Sequence, residues 1–195
     1  MNLESEQKLV EEARRDPEVF GELFDRYYSP ILNFILRRTG DVALAEDLTS
    51  DVFMKAYSKL WQFQWRGISF SSWLYRIASN QVRSHYRSQK SLISLDGLFE
   101  VAGFDLADEG DLHQELLDAE AQVQRHQDFL RVQKQLLLLP MKYQEVLALR
   151  FFEEKSLPEI AEILGKPQGT VKSLLSRGTQ KLQALLRNPL QDSAL

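Results

Sequence analysis

Residues Leu157 to Leu186 read LPEIAEILGKPQGTVKSLLSRGTQKLQALL, and this stretch decides the fold. It predicts two helices joined by a tight turn, the second helix longer and basic, which is the pattern of a helix-turn-helix. Small Ala161 lets the two helix backbones approach, and Gly165 suits a turn with positive φ. Val171 and Leu174 then face back onto the first helix. For this stretch alone, the alternative is an ordinary helical hairpin with a solvated charged face.

Charge is strongly segregated along the chain, although the formal net charge is only −4. Residues 66–90 and residues 166–187 each carry five Lys or Arg and no Asp or Glu. Residues 91–124 lie between them and carry nine acids with no Lys or Arg. Two cationic stretches separated by an anionic one predict nucleic-acid binding, which the net charge alone would argue against.

The composition predicts a globular protein that works in the cytoplasm. The chain has 195 residues, 44% of them hydrophobic, and no apolar run long enough to cross a bilayer. Its N-terminus is acidic and polar, unlike a secretory leader, so we expect no membrane insertion. It has no cysteine, and His85, His113 and His126 lack ligand spacing, so we expect neither a metal site nor a cofactor.

Helical periodicity recurs along the chain without any strand pattern, which predicts an all-α fold. Helices are expected over Glu4–Arg15, from Pro17 with a kink or restart at Pro30, over Val42–Leu60, from Phe70, over Leu112–Leu139 and over Tyr143–Glu153. Periodicity fails from Ser88 to about Gly110, where glycines and acids predict a flexible acidic linker. We therefore expect two small helical domains, residues 1–90 and 112–195, joined by the linker 91–111.

Three stretches resemble the bacterial RNA polymerase sigma factors of group 4, the extracytoplasmic-function (ECF) type of the sigma-70 family. They are AEDLTSDVFMKAY at Ala45–Tyr57, FSSWLYRIASN at Phe70–Asn80, and LPMKYQEVLALRFFEEKSLPEIAEILGKPQGTVKSLLSRGTQKL at Leu139–Leu182. Their order and spacing extend the resemblance over nearly the whole chain. The resemblance implies a sigma factor that binds core RNA polymerase and directs promoter-specific transcription initiation, and not an enzyme.

The resemblance also assigns roles to residues of the N-terminal, region 2-like domain. Asp47, Asp51 and Phe53 would bind core polymerase, the carboxylates pairing with basic residues beside an apolar anchor, although Phe53 is equally well interpreted as core. The following loop and helix would read and melt the promoter −10 element, with aromatic side chains receiving an extruded base and polar ones holding base edges and the strand backbone. The residues implied there are Trp61, Phe63, Trp65, Ile68, Arg76, Asn80, Arg83 and Arg87. Trp73, Leu74 and Ile77 are interpreted as ordinary core.

In the C-terminal, region 4-like domain, the resemblance implies that the second helix of the motif lies in the major groove of the −35 element. Lys172, Arg177 and Lys181 would meet phosphates, while Gln168 and Ser173 could reach base edges. The full set of implied contacts is Gln168, Gly169, Thr170, Lys172, Ser173, Ser176, Arg177 and Lys181.

The chain departs from the family pattern at three positions. Family members often have arginine where this chain has Leu174, glutamine where it has Ser50, and an acidic residue where it has Ser84. The first departure removes a phosphate contact, and the other two affect the polymerase surface and the −10 contacts. Promoter DNA and core polymerase are the implied partners, together with an anti-sigma factor, since sigma factors of this type are commonly held by one.

Two other kinds of function compete with this interpretation. A conventional helix-turn-helix regulator would bind duplex DNA without polymerase, but it leaves the N-terminal half unexplained. A helical adaptor whose acidic linker binds a basic partner leaves the two acid-free basic stretches unexplained. An enzyme is the weakest alternative, because no glycine-rich phosphate loop, nucleophile elbow or ligand cluster organises the Ser, His and Asp residues.

Overall fold

A computed structural model describes residues 3–65, 68–92 and 129–187, and every regular element in these ranges is helical. An all-α fold is therefore confirmed for the part of the chain described. The eight α-helices are α1 (Leu3–Ala13), α2 (Phe20–Thr39), α3 (Val42–Lys59), α4 (Phe70–Leu92), α5 (129–137), α6 (Met141–Leu147), α7 (Leu157–Leu164) and α8 (Gln168–Arg187). Short 3₁₀ turns at Pro17–Val19 and Leu60–Gln62 and a π-helical segment at Ala148–Phe152 complete the elements.

Local sequence signals set several helix ends. Asp41 caps α3 by accepting a hydrogen bond from the backbone N–H of Leu44 at 3.0 Å. Ser156 and Glu159 form a capping box at the start of α7, each side chain bonding the other residue's backbone N–H. Gly40 and Gly165 end α2 and α7 in the left-handed conformation, with φ of +67° and +62°. The turn of the helix-turn-helix is therefore made as the sequence predicts.

Helices α1 to α4 form a bundle around a shared apolar interior. Phe34 of α2, Val52 of α3 and Leu74 of α4 are each fully buried in it. Glu6 of α1 is buried as well, and it accepts hydrogen bonds from the Tyr27 hydroxyl and, at 3.3 Å, from the Phe70 backbone N–H. Of the kink or restart predicted at Pro30, the restart is wrong, because α2 continues through Pro30 as one helix of 20 residues. The sequence predicts a helix over Val42–Leu60, and α3 instead passes into a 3₁₀ turn after Lys59.

Helices α5 to α8 form a second group, held together by a crossing of α6 and α8. Gly178 of α8 is buried there, and a Cβ at this position would lie 3.3 Å from Leu147 Cδ1 and 3.4 Å from Tyr143 Cβ. A small residue therefore lets the two helices cross closely. Gln144 of α6 donates to the carbonyl oxygens of Leu137 and Leu139 at 2.9 and 2.7 Å, which satisfies backbone acceptors at the end of α5 and just after it.

The two helical groups pack directly against each other. Helix α7 lies against α4, and the π-helical segment lies against α2, so the buried apolar residues of both groups form one continuous cluster. The predicted linker 91–111 lies mostly outside the described residues. The predicted start of the linker at residue 91 is too early, because α4 continues to Leu92. The division of the chain into two domains stays a prediction, and the close packing of their helices was not anticipated.

Replacement of Gly40 by alanine should destabilise the fold. The new Cβ would sit at positive φ and 2.9 Å from Leu137 Cδ1, at the point where α2 meets α5. We expect a loss of about 1–2 kcal/mol in the free energy of unfolding, the usual cost of a left-handed non-glycine residue. Urea denaturation measures it.

Gly21→Ala is the matched control, because Gly21 is exposed inside α2 and an added Cβ meets nothing within 4 Å. This change should stabilise the protein by roughly 0.5–1 kcal/mol. Equal effects of the two substitutions would contradict the role given to Gly40.

Candidate nucleic-acid and protein interfaces

One face of α3 is acidic and exposed. Asp47 and Asp51 lie four residues apart and both face solvent. Asp51 Oδ2 accepts a hydrogen bond of 3.0 Å from Gln81 Nε2 of α4, and Gln81 Oε1 in turn accepts one from Lys55. This polar chain fixes the position of Asp51 without burying its carboxylate.

Phe53 does not lie on the surface beside these acids. Only 4% of it is exposed, and its ring packs edge-on against Phe24 at a centroid distance of 4.8 Å. Of the two interpretations of Phe53, the core one is therefore correct and the polymerase-binding one is wrong, because the helical period turns this side chain into the bundle. Met54 is 71% exposed and follows Asp47 by seven residues and Asp51 by three, which places it on the acidic face. Counting helical positions could have found it.

The aromatic loop after α3 has both exposed and packed members. Trp61 is 72% exposed, and its indole N–H donates to the Ser58 carbonyl at 3.1 Å. Phe63 is buried, with its ring 5.1 Å from those of Trp65 and Trp73. Trp65 is half-buried, and its indole nitrogen is enclosed without a hydrogen-bond partner among the residues that the structure describes. Of the aromatic residues implied at this loop, only Trp61 presents most of its ring to solvent.

A cleft of about 360 Å³ opens beside this loop. It contains three of the residues implied for the −10 element, namely Phe63, Ile68 and Arg76. Trp65 does not line the cleft, but its ring packs against that of Phe63, which does. The other lining residues, Gln62, Gln64 and Trp73, are not among those implied by the resemblance, and Trp73 is only partly buried in the core.

The polar residues implied on α4 lie along one stripe of the helix. Their spacing of four, three and four residues, from Arg76 through Asn80 and Arg83 to Arg87, keeps them on the same side. Asn80 and Arg87 are exposed. The side chains of Arg76 and Arg83 are 39% and 40% exposed, and each is paired with a glutamate of the C-terminal group.

Helix α8 presents an exposed face without any acid. Every implied −35 contact lies on exposed surface: Gln168, Gly169, Thr170, Lys172, Ser173, Ser176, Arg177 and Lys181. The Ser173 hydroxyl donates to the Thr170 carbonyl at 2.8 Å, which leaves its oxygen lone pairs facing outward. Leu174 is half-buried and packs against the apolar cluster, and Val171 is completely buried within that cluster. Leucine at position 174 thus adds packing where an arginine would add charge.

Ionisable groups are also buried between the two helical groups. Arg37 Nη1 lies 2.9 Å from Glu153 Oε1, and the Tyr75 hydroxyl donates to Glu153 Oε2. Burial raises the pKa of Glu153, and the hydrogen bond from Tyr75 and the charge of Arg37 oppose that rise. Burial also raises the pKa of Tyr75, and Glu153 adds to it. Arg38 is fully buried, which lowers its pKa despite the nearby carboxylate of Glu145.

Two further observations concern membrane-spanning helices and metal-binding groups. Among residues 3–65, 68–92 and 129–187, no helix is both long and apolar enough to cross a membrane. The same ranges contain no group of three His, Cys, Asp or Glu side chains arranged to hold a metal ion.

Comparison with known proteins identifies the family. Residues 23–92 match the family model for sigma-70 region 2, and residues 129–182 match that for sigma-70 region 4. The ECF RNA polymerase sigma factor SigW of Bacillus subtilis (strain 168) is 33% identical over 195 residues, which cover 96% of this chain and 100% of SigW. The RNA polymerase sigma-H factor of Pseudomonas aeruginosa is 31% identical and covers 97% of this chain and 98% of its own.

Solved structures agree with this result. The sigma factor RpoE in complex with the anti-sigma factor NepR, from Bartonella quintana, matches 87% of this chain and 97% of its own, with a TM-score of 0.68 and 26% identity. CnrH in complex with the cytosolic domain of CnrY matches 96% of this chain and 99% of its own, with a TM-score of 0.65 and 26% identity. The chain therefore belongs to the ECF sigma factors of the sigma-70 family.

Proposed function

We propose that this sigma factor, which binds core RNA polymerase and directs promoter-specific transcription initiation, divides that work among three surfaces. One observation carries the proposal: the region 2 match exposes an acidic helical face, whereas the region 4 match exposes a helical face with no acid. A protein partner with basic residues suits the first face. A phosphate backbone suits the second.

The acidic face of α3 is the polymerase-binding surface in this proposal. Asp47 and Asp51 give orientation and a fast association through their charge, because exposed charges act at long range. Met54 lies beside these two acids and supplies an apolar contact with the partner, since its flexible thioether side chain adapts to irregular surfaces. Phe53 supports this face from inside the bundle.

The cleft beside the aromatic loop and the polar stripe of α4 act on the −10 element. Extrusion of a base costs a few kcal/mol of lost stacking, which an apolar cleft with polar groups at its rim can offset. Ile68 and Trp73 supply apolar walls, and Gln62 and Gln64 supply donors and acceptors. Asn80 and Arg87 are exposed along the same helix and would hold base edges and the strand backbone.

The exposed face of α8 reads the −35 element. Lys172, Arg177 and Lys181 contact phosphates, and Gln168 and Ser173, near the helix N-terminus, reach base edges. The protein needs no catalytic group for this work and acts in the cytoplasm, where the polymerase works. An anti-sigma factor is a further partner, by analogy with the complexes of RpoE and CnrH.

Run-off transcription tests the function as a whole. Core polymerase with this protein should produce discrete transcripts from a subset of a genomic fragment library, and core polymerase without it should not. Sequence-specific duplex binding by the free protein, with no transcripts in this assay, would instead favour a regulator that acts without polymerase.

Substitutions on α3 should weaken the association with core polymerase. Asp47→Lys with Asp51→Lys places like charges against basic partner residues, and Met54→Ala removes the exposed apolar contact. We expect the charge reversal to weaken competition for core polymerase by at least about tenfold. Met54→Ala should weaken it less. Competitive binding against a labelled sigma factor measures both.

Glu22→Lys on α2 is the control, because Glu22 is an exposed acid on a different helix. It should leave competition unchanged, and circular dichroism should be the same for all variants since exposed charges contribute little to stability. Undiminished competition by the Asp47 and Asp51 double variant would remove this face from the proposal.

The two DNA-facing surfaces should fail in different ways. Asn80→Ala should leave closed-complex binding near normal but reduce permanganate-reactive thymines, and a pre-melted bubble template should restore transcription because it supplies the unstacking energy. Lys172→Ala should weaken holoenzyme binding at all promoters alike and reduce the salt slope by about one unit. Lys134→Ala, an exposed lysine on α5, is the control for charge alone. Loss of closed-complex binding by Asn80→Ala as severe as that by Lys172→Ala would contradict the division.

A further inference from the structure

Helix α1 lies outside the region 2 match, which begins at residue 23, yet it makes polar contacts far along the chain. Glu6 of α1 and Arg14, directly after α1, each reach a backbone position beside the aromatic loop, 46 to 64 residues away in sequence. Val10 lies between these two residues and is fully buried in the bundle. The α1 segment therefore has a polar contact near each end, in addition to its apolar face.

Arg14 holds the point at which the aromatic loop begins. Its Nε donates to the Leu60 carbonyl at 3.2 Å, and its Nη2 donates to the Phe63 carbonyl. The Phe63 backbone N–H also donates to the Leu60 carbonyl at 3.2 Å, which closes the 3₁₀ turn Leu60–Gln62. One guanidinium thus bridges the two ends of this turn, a contact that suits the rigid fork of arginine donors.

Glu6 holds the point at which the loop ends and α4 begins. Its side chain is buried, with Oε2 accepting from the Phe70 backbone N–H at 3.3 Å and Oε1 accepting from the Tyr27 hydroxyl. Phe70 is fully buried and is the first residue of α4, so its N–H has no partner within the helix. Glu6 removes the cost of leaving that N–H unpaired, and its charge suits the positive end of the helix dipole.

The cleft beside the aromatic loop lies between these two contacts. The loop supplies the lining residues Gln62, Phe63, Gln64 and Ile68. The first two turns of α4 supply Trp73 and Arg76. The positions of these side chains therefore depend on where the loop begins and where α4 begins. The rings of Phe63 and Phe70, 5.6 Å apart, join the two points directly.

We propose that Arg14 and Glu6 are positioning residues of this cleft, which fix its two ends and so hold it in the form that receives an extruded base. This role rests on the function in −10 melting proposed above for the cleft. Neither residue contacts DNA. Both raise the fraction of protein whose cleft is formed before DNA arrives, and the apparent affinity of a site scales with that fraction.

Hydrogen exchange in the free protein, followed by NMR, tests the positioning itself. Arg14 is exposed, so Arg14→Ala leaves the apolar packing intact. This change should accelerate exchange of the Phe63 amide, whose bond closes the turn, by roughly five- to tenfold. Arg15→Ala is the matched control, because Arg15 is the exposed neighbour with the same charge, and it should change nothing. Unchanged exchange in Arg14→Ala would overturn the proposal.

Promoter opening by the holoenzyme tests the consequence, with 2-aminopurine in the −10 element as a fluorescent reporter of unstacking. Arg14→Ala should reduce the equilibrium constant for opening by roughly five- to tenfold, while closed-complex binding and competition for core polymerase stay near normal. A pre-melted bubble template should restore transcription. Glu6→Ala should have the same effects, and Glu6→Gln should retain most of the opening because its amide oxygen can still accept from the Phe70 N–H.

A general loss of structure would instead weaken competition for core polymerase, and the bubble would not correct it. That result for Arg14→Ala, or a salt slope lowered by about one unit as for a phosphate contact, would overturn the proposal. If Arg14→Ala opens promoters normally and Asn80→Ala does not, the positioning role is wrong and the proposed function stands. If neither variant affects opening, the −10 role of the cleft and the positioning role both fail.

Discussion

The two helical groups share one apolar cluster, and a buried carboxylate, that of Glu145, lies at their junction between two arginines from different helices. Arg38 comes from the end of α2 and Arg83 from the middle of α4, so this contact orients both helices relative to α6. Gly40, two residues after Arg38, provides the room for Leu137 of α5 at the same junction. Charge complementarity and close approach thus act together at the end of α2.

The uneven distribution of charge explains how a protein with a net charge of −4 can work on DNA. Its acids are not spread evenly: Asp47 and Asp51 face outward on α3, while Glu145 and Glu153 face inward against arginines. The basic surface of α8 carries no acid and needs none to fold, because Val171 and Gly178 supply its packing.

Most of the local structure could be predicted from the sequence because its causes are local. The capping and turn residues act within one turn of where they lie, as Asp41, Ser156 with Glu159, and Gly165 do. The burial of Phe53 and the exposure of Met54 follow from helical periodicity and could have been predicted by counting from Asp47. The π-helical segment and the packing of α7 on α4 could not, because they depend on contacts such as Arg37 with Glu153, which are 116 residues apart.

The structure of the holoenzyme on promoter DNA, determined by cryo-electron microscopy, tests the central claim most directly. Asp47, Asp51 and Met54 should contact the polymerase, Lys172 and Arg177 should lie on the −35 duplex, and Asn80 and Arg87 should lie on the −10 strand. A holoenzyme in which the acidic face of α3 contacts no polymerase residue, or in which α8 lies away from the −35 duplex, would contradict it.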